Sequence, residues 1–232
     1  MYDVILFDLD GTVTDPGEGI TNSVIYALDK FNIKVEERTQ LYKFIGPPLR
    51  DSFAEYYHFD EAKCEQAVAY YREYYKDRGI YENKLYDGME QLLKDIKESG
   101  RKIALATSKP EPFAKQILQY FHIDSNFDVI AGSTLDGARN SKEEVIAYAL
   151  EQCGVTNLSS RKDIGAFIPQ YWSEKELSEV VMIGDRKYDI LGAKKMGIDS
   201  IGVLFGYGEE KELRDAGATH IAARVEDIFS LL

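Results

Sequence analysis

Six short runs of apolar residues punctuate the chain, at 3–9, 102–107, 127–131, 180–184, 200–205 and 219–222, and each is continuous rather than alternating. A run too brief for a helix and apolar on both faces reads as a strand buried on both sides, as in a parallel sheet. Stretches of helical period lie between most of them. Met89, Leu92, Leu93 and Ile96 share one stripe, closed by Gly100; Phe113, Ile117, Leu118 and Phe121 share a second; Val145, Ile146, Ala149 and Leu150 share a third, closed by Gly154. Strand, helix, strand in this rhythm demands right-handed crossovers, so the expected fold class is α/β, a doubly wound parallel sheet.

One interval breaks the rhythm. More than seventy residues separate the first strand from the helix at Met89, far more than one crossover needs. The interval has helical stripes of its own, Ile20, Val24, Ala27, Leu28 and Phe31, then Cys64, Val68, Tyr71 and Tyr75, interrupted by Pro47–Pro48. It is expected to form a small helical domain over 17–85, inserted into a core made of 1–16 and 86–232. At 232 residues the chain holds roughly one and a half domains of ~150 residues, which suits that division. The tyrosines of the insertion, Tyr70, Tyr71, Tyr74, Tyr75 and Tyr81, are read as packing residues first and as a ligand cleft second. A polar stretch at 155–179 carries Phe167, Ile168, Tyr171 and Trp172. It is expected to emerge at the sheet edge away from the chemistry, as a surface elaboration.

Charge narrows the partners. Forty acidic against 28 basic side chains leave a formal charge of −12, the wrong sign for neutralising nucleic acid phosphates or an anionic membrane. No apolar run approaches the ~18 residues of a membrane span. The first residues, MYDVILFDLDG, have no basic leader-like segment, and Cys64 and Cys153 make no zinc or disulfide pattern. The expectation is a cytoplasmic protein, monomer or homodimer, with two reduced thiols.

Ligands of doubly wound sheets bind outside the carboxyl ends of the strands, so the residues ending each strand matter most. The first strand ends in Asp8-Leu9-Asp10-Gly11-Thr12, the second in Thr107-Ser108-Lys109, and the fourth in Gly184-Asp185 with Asp189 four residues on; Lys142 opens the helix after the third. A single Asp after a strand is ordinarily a cap. Several together are not, because two carboxylates 4 Å apart repel by about 4 kcal/mol at an effective dielectric near 20. A bound cation is the simplest compensation. Oxygen ligands without His or Cys select a hard ion, and Mg²⁺, which leaves positions for water and phosphate oxygens, fits best. Lys142 and Lys109 would then neutralise a phosphoryl group. Nucleotide P-loop, dinucleotide, EF-hand and acyl-hydrolase signatures are all missing.

These residues resemble the haloacid dehalogenase superfamily of phosphatases over essentially the whole chain. The resemblance rests on DxDGT at 8–12, Thr107, Lys142 within NSKEEV, and GDRKYD at 184–189, in that order. Within the superfamily the sequence is most similar to the phosphoglycolate phosphatase and 5′-nucleotidase-like branch. The resemblance implies a helical cap over a Rossmann-like core. It implies Asp8 as nucleophile, Asp10 as acid and base, Thr107 and the Ser108 amide on phosphate oxygens, and Lys142 paired to Asp8. Mg²⁺ would lie among Asp8, the backbone carbonyl of Asp10, Asp185 and Asp189. Gly11, Thr12, Ser108 and Lys109 would line the phosphate site, and Gly46 and Arg50 of the segment 44–50 would meet the leaving group. The implied substrate is a small phosphorylated metabolite, a phosphoglycolate or nucleoside monophosphate. The rivals are a phosphoglucomutase-like transferase, a pyrophosphatase, a phospho-accepting receiver module and a catalytically silent interaction protein.

Overall fold

In a computed structural model, residues 1–155 and 177–232 are described. Six strands form one wholly parallel sheet in the order β5-β4-β1-β6-β7-β8, with β1 at Val4–Phe7, β4 at Lys102–Pro110, β5 at Val129–Ser133, β6 at Val180–Gly184, β7 at Asp199–Val203 and β8 at His220–Ala222. The chain runs outward from β1 to β4 and β5, then crosses to β6 on the other side of β1. The order therefore reverses at β1, the position where a doubly wound sheet opens a crevice at its carboxyl edge.

The alternation within β1 explains its unbroken apolar run. Ile5 and Phe7 face one layer together with Leu92, Leu93 and Ile96 of α4 (Met89–Glu98) and Ile117 and Leu118 of α5 (Glu111–Tyr120). Val4 and Leu6 face the other, against Val145, Ile146 and Leu150 of α6 (Lys142–Gln152) and Ala193 and Met196 of α7 (Lys187–Met196). Each fully buried side chain of this size contributes about 1.5–3 kcal/mol, so a one-residue slip of β1 would forfeit both layers. The third strand starts two residues later than the apolar run suggests. Asp128 is held in place there, its carboxylate accepting from Ile103 N at 2.9 Å and its amide donating to Ile103 O at 2.8 Å.

After β1 the chain leaves the sheet. A two-residue strand β2 (Thr14–Asp15) pairs antiparallel with β3 (Lys84–Leu85), and between them run α1 (Gly17–Asp29), a 3₁₀ segment Arg38–Phe44, α2 (Leu49–Tyr57) and α3 (Glu61–Tyr74). Alpha1 buries Ile20, Val24, Ala27 and Leu28; Phe44 packs edge-on to Phe53 at 5.1 Å. Alpha3 continues into a π turn at Tyr75–Gly79. This helical group shares one apolar cluster with the α4/α5 face of the sheet, so its placement over the core is fixed by packing.

Most of the stretch 155–179, including Phe167, Ile168, Tyr171 and Trp172, lies outside the described residues. Its flanks do not. Lys102 Nζ donates to Cys153 O at 2.7 Å, and the amides of Asp3 and Val4 donate to Glu179 O at 2.7 and 3.1 Å. Both flanks therefore meet the amino-terminal ends of β4 and β1. Among the described residues no helix is long and apolar enough to cross a membrane, and both cysteines are free and buried.

Candidate active site

The carboxyl edge collects the charged residues that the strand ends carry. Asp8 follows β1 directly, its amide donating to Ile183 O at 2.9 Å. Lys142 sits in the first turn of α6, which begins with a Ser141–Glu144 capping box. Lys142 Nζ lies 2.7 Å from Asp8 Oδ1, 2.7 Å from Asp189 Oδ1 and 3.1 Å from Ala106 O. Burial alone would push this ammonium down, but Asp189 and Asp8 outweigh it and hold Lys142 above the ordinary lysine range.

One carboxylate oxygen each from Asp8, Asp185 and Asp189 falls within 4.8 Å of the others, and all three residues are buried. Burial, then Asp189 and Asp8, push the Asp185 carboxyl well above its usual range. Burial likewise raises Asp189 to about 6 against the pull of Lys142. Lys142 answers Asp8 and Asp189; among the described residues Asp185 accepts from Tyr207 N at 2.7 Å and from the Thr12 hydroxyl at 3.4 Å, with no lysine on it. Three carboxylates against one ammonium leave a buried, all-oxygen set two positive charges short, which fits a hard divalent cation that would lie among Asp8, Asp185 and Asp189. The space for it is kept by glycine. At Gly11, with φ +86°, a Cβ would lie 2.2 Å from Asp185 Oδ2, and at Gly184 it would lie 2.2 Å from Asp189 Cγ.

Asp10 stands apart from this triad. Its Oδ2 is 2.6 Å from Lys109 Nζ, both groups are buried, and Oδ1 has no hydrogen-bond partner among the described residues. Burial raises the Asp10 carboxyl, with Lys109 opposing. Two pairings add detail here: Lys109 is engaged by Asp10, and the Thr12 hydroxyl donates to Asp185. The Asp10 side chain is outside the carboxylate triad, where the resemblance implies its backbone carbonyl for the metal. Thr107 is buried, and its Oγ1 accepts from Lys109 N at 3.2 Å, where β4 slips register against β5.

Beside Asp10 opens a cavity of about 240 Å³ between the sheet edge and the helical group. Asp10, Ser108 and Lys109 line it from the core, with Gly46, Arg50, Tyr71 and Tyr75 opposite. Gly46 has φ +104°, a conformation suited to glycine, and a Cβ there would come within 3.1 Å of Arg186 Cγ. Arg50 lines the cavity, half exposed and paired with Glu61. Tyr71 and Tyr75, read first as packing residues, do both jobs: they are buried and they line the cavity.

Two participants escaped sequence reasoning. Arg186 Nη1 donates to Ile45 O at 2.7 Å, joining the loop of Asp185 to that of Gly46. Tyr207 N caps Asp185 from the segment after β7. The only hint in the sequence is position, one residue past Asp185 and four past β7.

Residues 5–203 match the family model described as haloacid dehalogenase-like hydrolase. A 5′-nucleotidase of Pseudomonas aeruginosa is 42% identical over 231 residues, covering 100% of this chain and 96% of that one. The tyrosine-protein kinase PtkA of Mycobacterium tuberculosis is 36% identical, covering 99% of this chain and 72% of that protein. Among solved structures, one described as a predicted phosphatase from Clostridium acetobutylicum superposes with a TM-score of 0.88 at 45% identity, covering 100% of this chain and 98% of the other.

Proposed function

The chain belongs to the haloacid dehalogenase-like hydrolases, and from that premise we propose that it is a Mg²⁺-dependent phosphatase of small phosphate monoesters, working through a phosphorylated Asp8. The observation that carries this reading is the pairing of two acids, two residues apart, with two separate lysines: Asp8 on Lys142 and Asp10 on Lys109. Residues 17–85 act as a cap over a core of 1–16 and 86–232.

Asp8 is oriented by Lys142, so one carboxylate oxygen attacks phosphorus as the bond to the leaving oxygen breaks. Thr107 and the Ser108 amide hold the phosphoryl oxygens, and Lys142 offsets their charge. Asp10, whose carboxyl is raised by burial, carries the proton that the leaving oxygen takes. It then receives a proton from the water that attacks phosphorus, freeing Asp8 and releasing inorganic phosphate. A divalent ion held by Asp8, Asp185 and Asp189 would supply charge neutralisation for the phosphoryl group. An acid at position 10 suits an ester whose leaving alkoxide needs a proton.

The test is phosphate release from p-nitrophenyl phosphate and from a panel of metabolite monoesters. Turnover is expected with Mg²⁺, none in excess EDTA, and none for Asp8→Asn. Wild-type rates from purified, folded Asp8→Asn would dismiss Asp8 as nucleophile.

A further inference from the structure

A tyrosine between two glycines closes around Asp185. After β7 the chain runs through Phe205-Gly206-Tyr207-Gly208, so near to Asp185 that neither glycine has room for a side chain. A Cβ on Gly206 would overlap Asp185 Cβ and Gly11 O, and one on Gly208 would overlap Asp185 O. Between them the Tyr207 amide donates to Asp185 Oδ2 at 2.7 Å.

The same residue holds the crossing into the helical group. The Tyr207 hydroxyl donates to Asp15 Oδ1 in β2, the oxygen that also accepts from Gly17 N at 3.0 Å where α1 begins. Burial, then Asp15, hold the phenol above the ordinary tyrosine range, so it remains a donor. A Cβ on Gly17 would overlap that hydroxyl. Tyr42, in the 3₁₀ segment Arg38–Phe44, meets the Tyr207 ring edge-on at 5.3 Å. The return crossing is met two residues earlier in the segment: Phe205 packs edge-on against Tyr86, the residue after β3, at 5.0 Å.

These contacts depend on one another. Flanking glycines leave the backbone at Tyr207 free to take many paths, so the amide stays aimed at Asp185 only while another contact fixes the residue. Asp15, on the crossing, and Tyr42, beyond it, supply that restraint. We propose that Tyr207 is a positioning residue that couples the divalent-cation site to the crossing: its phenol, held by Asp15, keeps its amide on Asp185. Contacts behind a metal ligand tune metal affinity. The coupling is reciprocal, so a cation among Asp8, Asp185 and Asp189 would in turn steady the link at Asp15. This goes beyond the reading of those three acids as a Mg²⁺ site and rests on it.

Calorimetric titration of Mg²⁺ without substrate, into wild type, Tyr207→Phe, Asp15→Ala and the double variant, tests the coupling. Tyr207→Phe removes the hydroxyl and leaves the amide. It should raise the Mg²⁺ Kd about two- to tenfold, the size of one net hydrogen bond. Asp15→Ala should raise it similarly and the double variant no further, because both remove the same link. In wild type, Mg²⁺ should slow amide hydrogen exchange over 13–18, and this protection should shrink in Tyr207→Phe. A residue that only stabilises the fold would change exchange equally with and without Mg²⁺. A Tyr207→Phe Kd less than twofold above wild type, additive losses in the double variant, or Mg²⁺ protection absent from wild type or equal in both overturns the coupling and leaves the cation site standing. A wild type that binds no Mg²⁺ fails the cation reading, and the coupling with it.

Discussion

Arg186 reaches from the core to the helical group, its Nη1 donating to the carbonyl of Ile45 at 2.7 Å. Its Nε donates to Glu212 Oε1 at 3.1 Å, and its amide donates to Asp189 Oδ2 at 3.1 Å. One residue thus ties the loop beside Gly46 to the loop that carries Asp185 and Asp189. Hydrogen bonds from a charged donor contribute about 1.5–3 kcal/mol. Arg186→Ala is expected to lower kcat/KM on phosphate esters by roughly ten- to a hundredfold, mainly through KM, with Arg186→Lys recovering part of it. Steady-state kinetics with unchanged KM would rule out the tie as a means of holding substrate.

Gly11 is expected to tolerate no side chain. Its φ is +86°, and an added Cβ would overlap Asp185 Oδ2 at 2.2 Å. Gly11→Ala should destabilise the protein by about 1–3 kcal/mol from strain and abolish the gain in melting temperature on adding Mg²⁺. Thermal melts with and without Mg²⁺ read both effects; a normal Mg²⁺ response in Gly11→Ala would mean Asp185 is not a ligand.

Lys142 carries the charge balance of the cluster. Removing one partner of a buried ion pair leaves uncompensated charge and costs about 3–5 kcal/mol. Lys142→Met should lose roughly that much in urea unfolding and lose turnover as well. A variant as stable as wild type would show that Lys142 does not compensate Asp8 and Asp189.

The raised carboxyls give stability a pH dependence with a definite sign. Asp189 is raised to about 6, and burial with the neighbouring acids also holds Asp185 well above its usual range, against about 3.9 in an unfolded chain. The folded protein without metal therefore binds more protons than the unfolded one between those values, and its stability falls as pH rises from about 4 through 6. A cation takes the place of those protons. The difference in melting temperature between Mg²⁺ and EDTA should be small near pH 5 and grow toward pH 8. A difference independent of pH would separate the acid cluster from metal binding.

Much of this site was legible because parallel strands end where their apolar runs end. Asp8, Thr107 and Asp185 follow such runs, so placing them at one edge needed only the sheet order. Lys142 was legible for a related reason, since it opens a helix between two of those strands. What was not legible lies in pairings of long sequence separation. Lys109 turns to Asp10 across 99 positions and Thr12 to Asp185 across 173, and neither choice leaves a periodic trace. The two-residue pairing of β2 with β3 is too short to carry a pattern. Tyr71 and Tyr75 stood on the buried stripe of a helix, where packing and cavity lining look alike; only the folded position of that stripe beside the cavity separates them. Arg186 is visible as a residue beside a motif, but its partner is a backbone carbonyl, which no side-chain pattern reveals.

The most direct measurement is to stop turnover of a phosphate ester with acid and map the phosphorylated residue by peptide mass spectrometry. The account predicts phosphate on Asp8 when Mg²⁺ is present, none in EDTA, and none in Asp8→Asn. Phosphate on any other residue, or rapid turnover with Asp8 never modified under conditions that trap acyl phosphates, would contradict it.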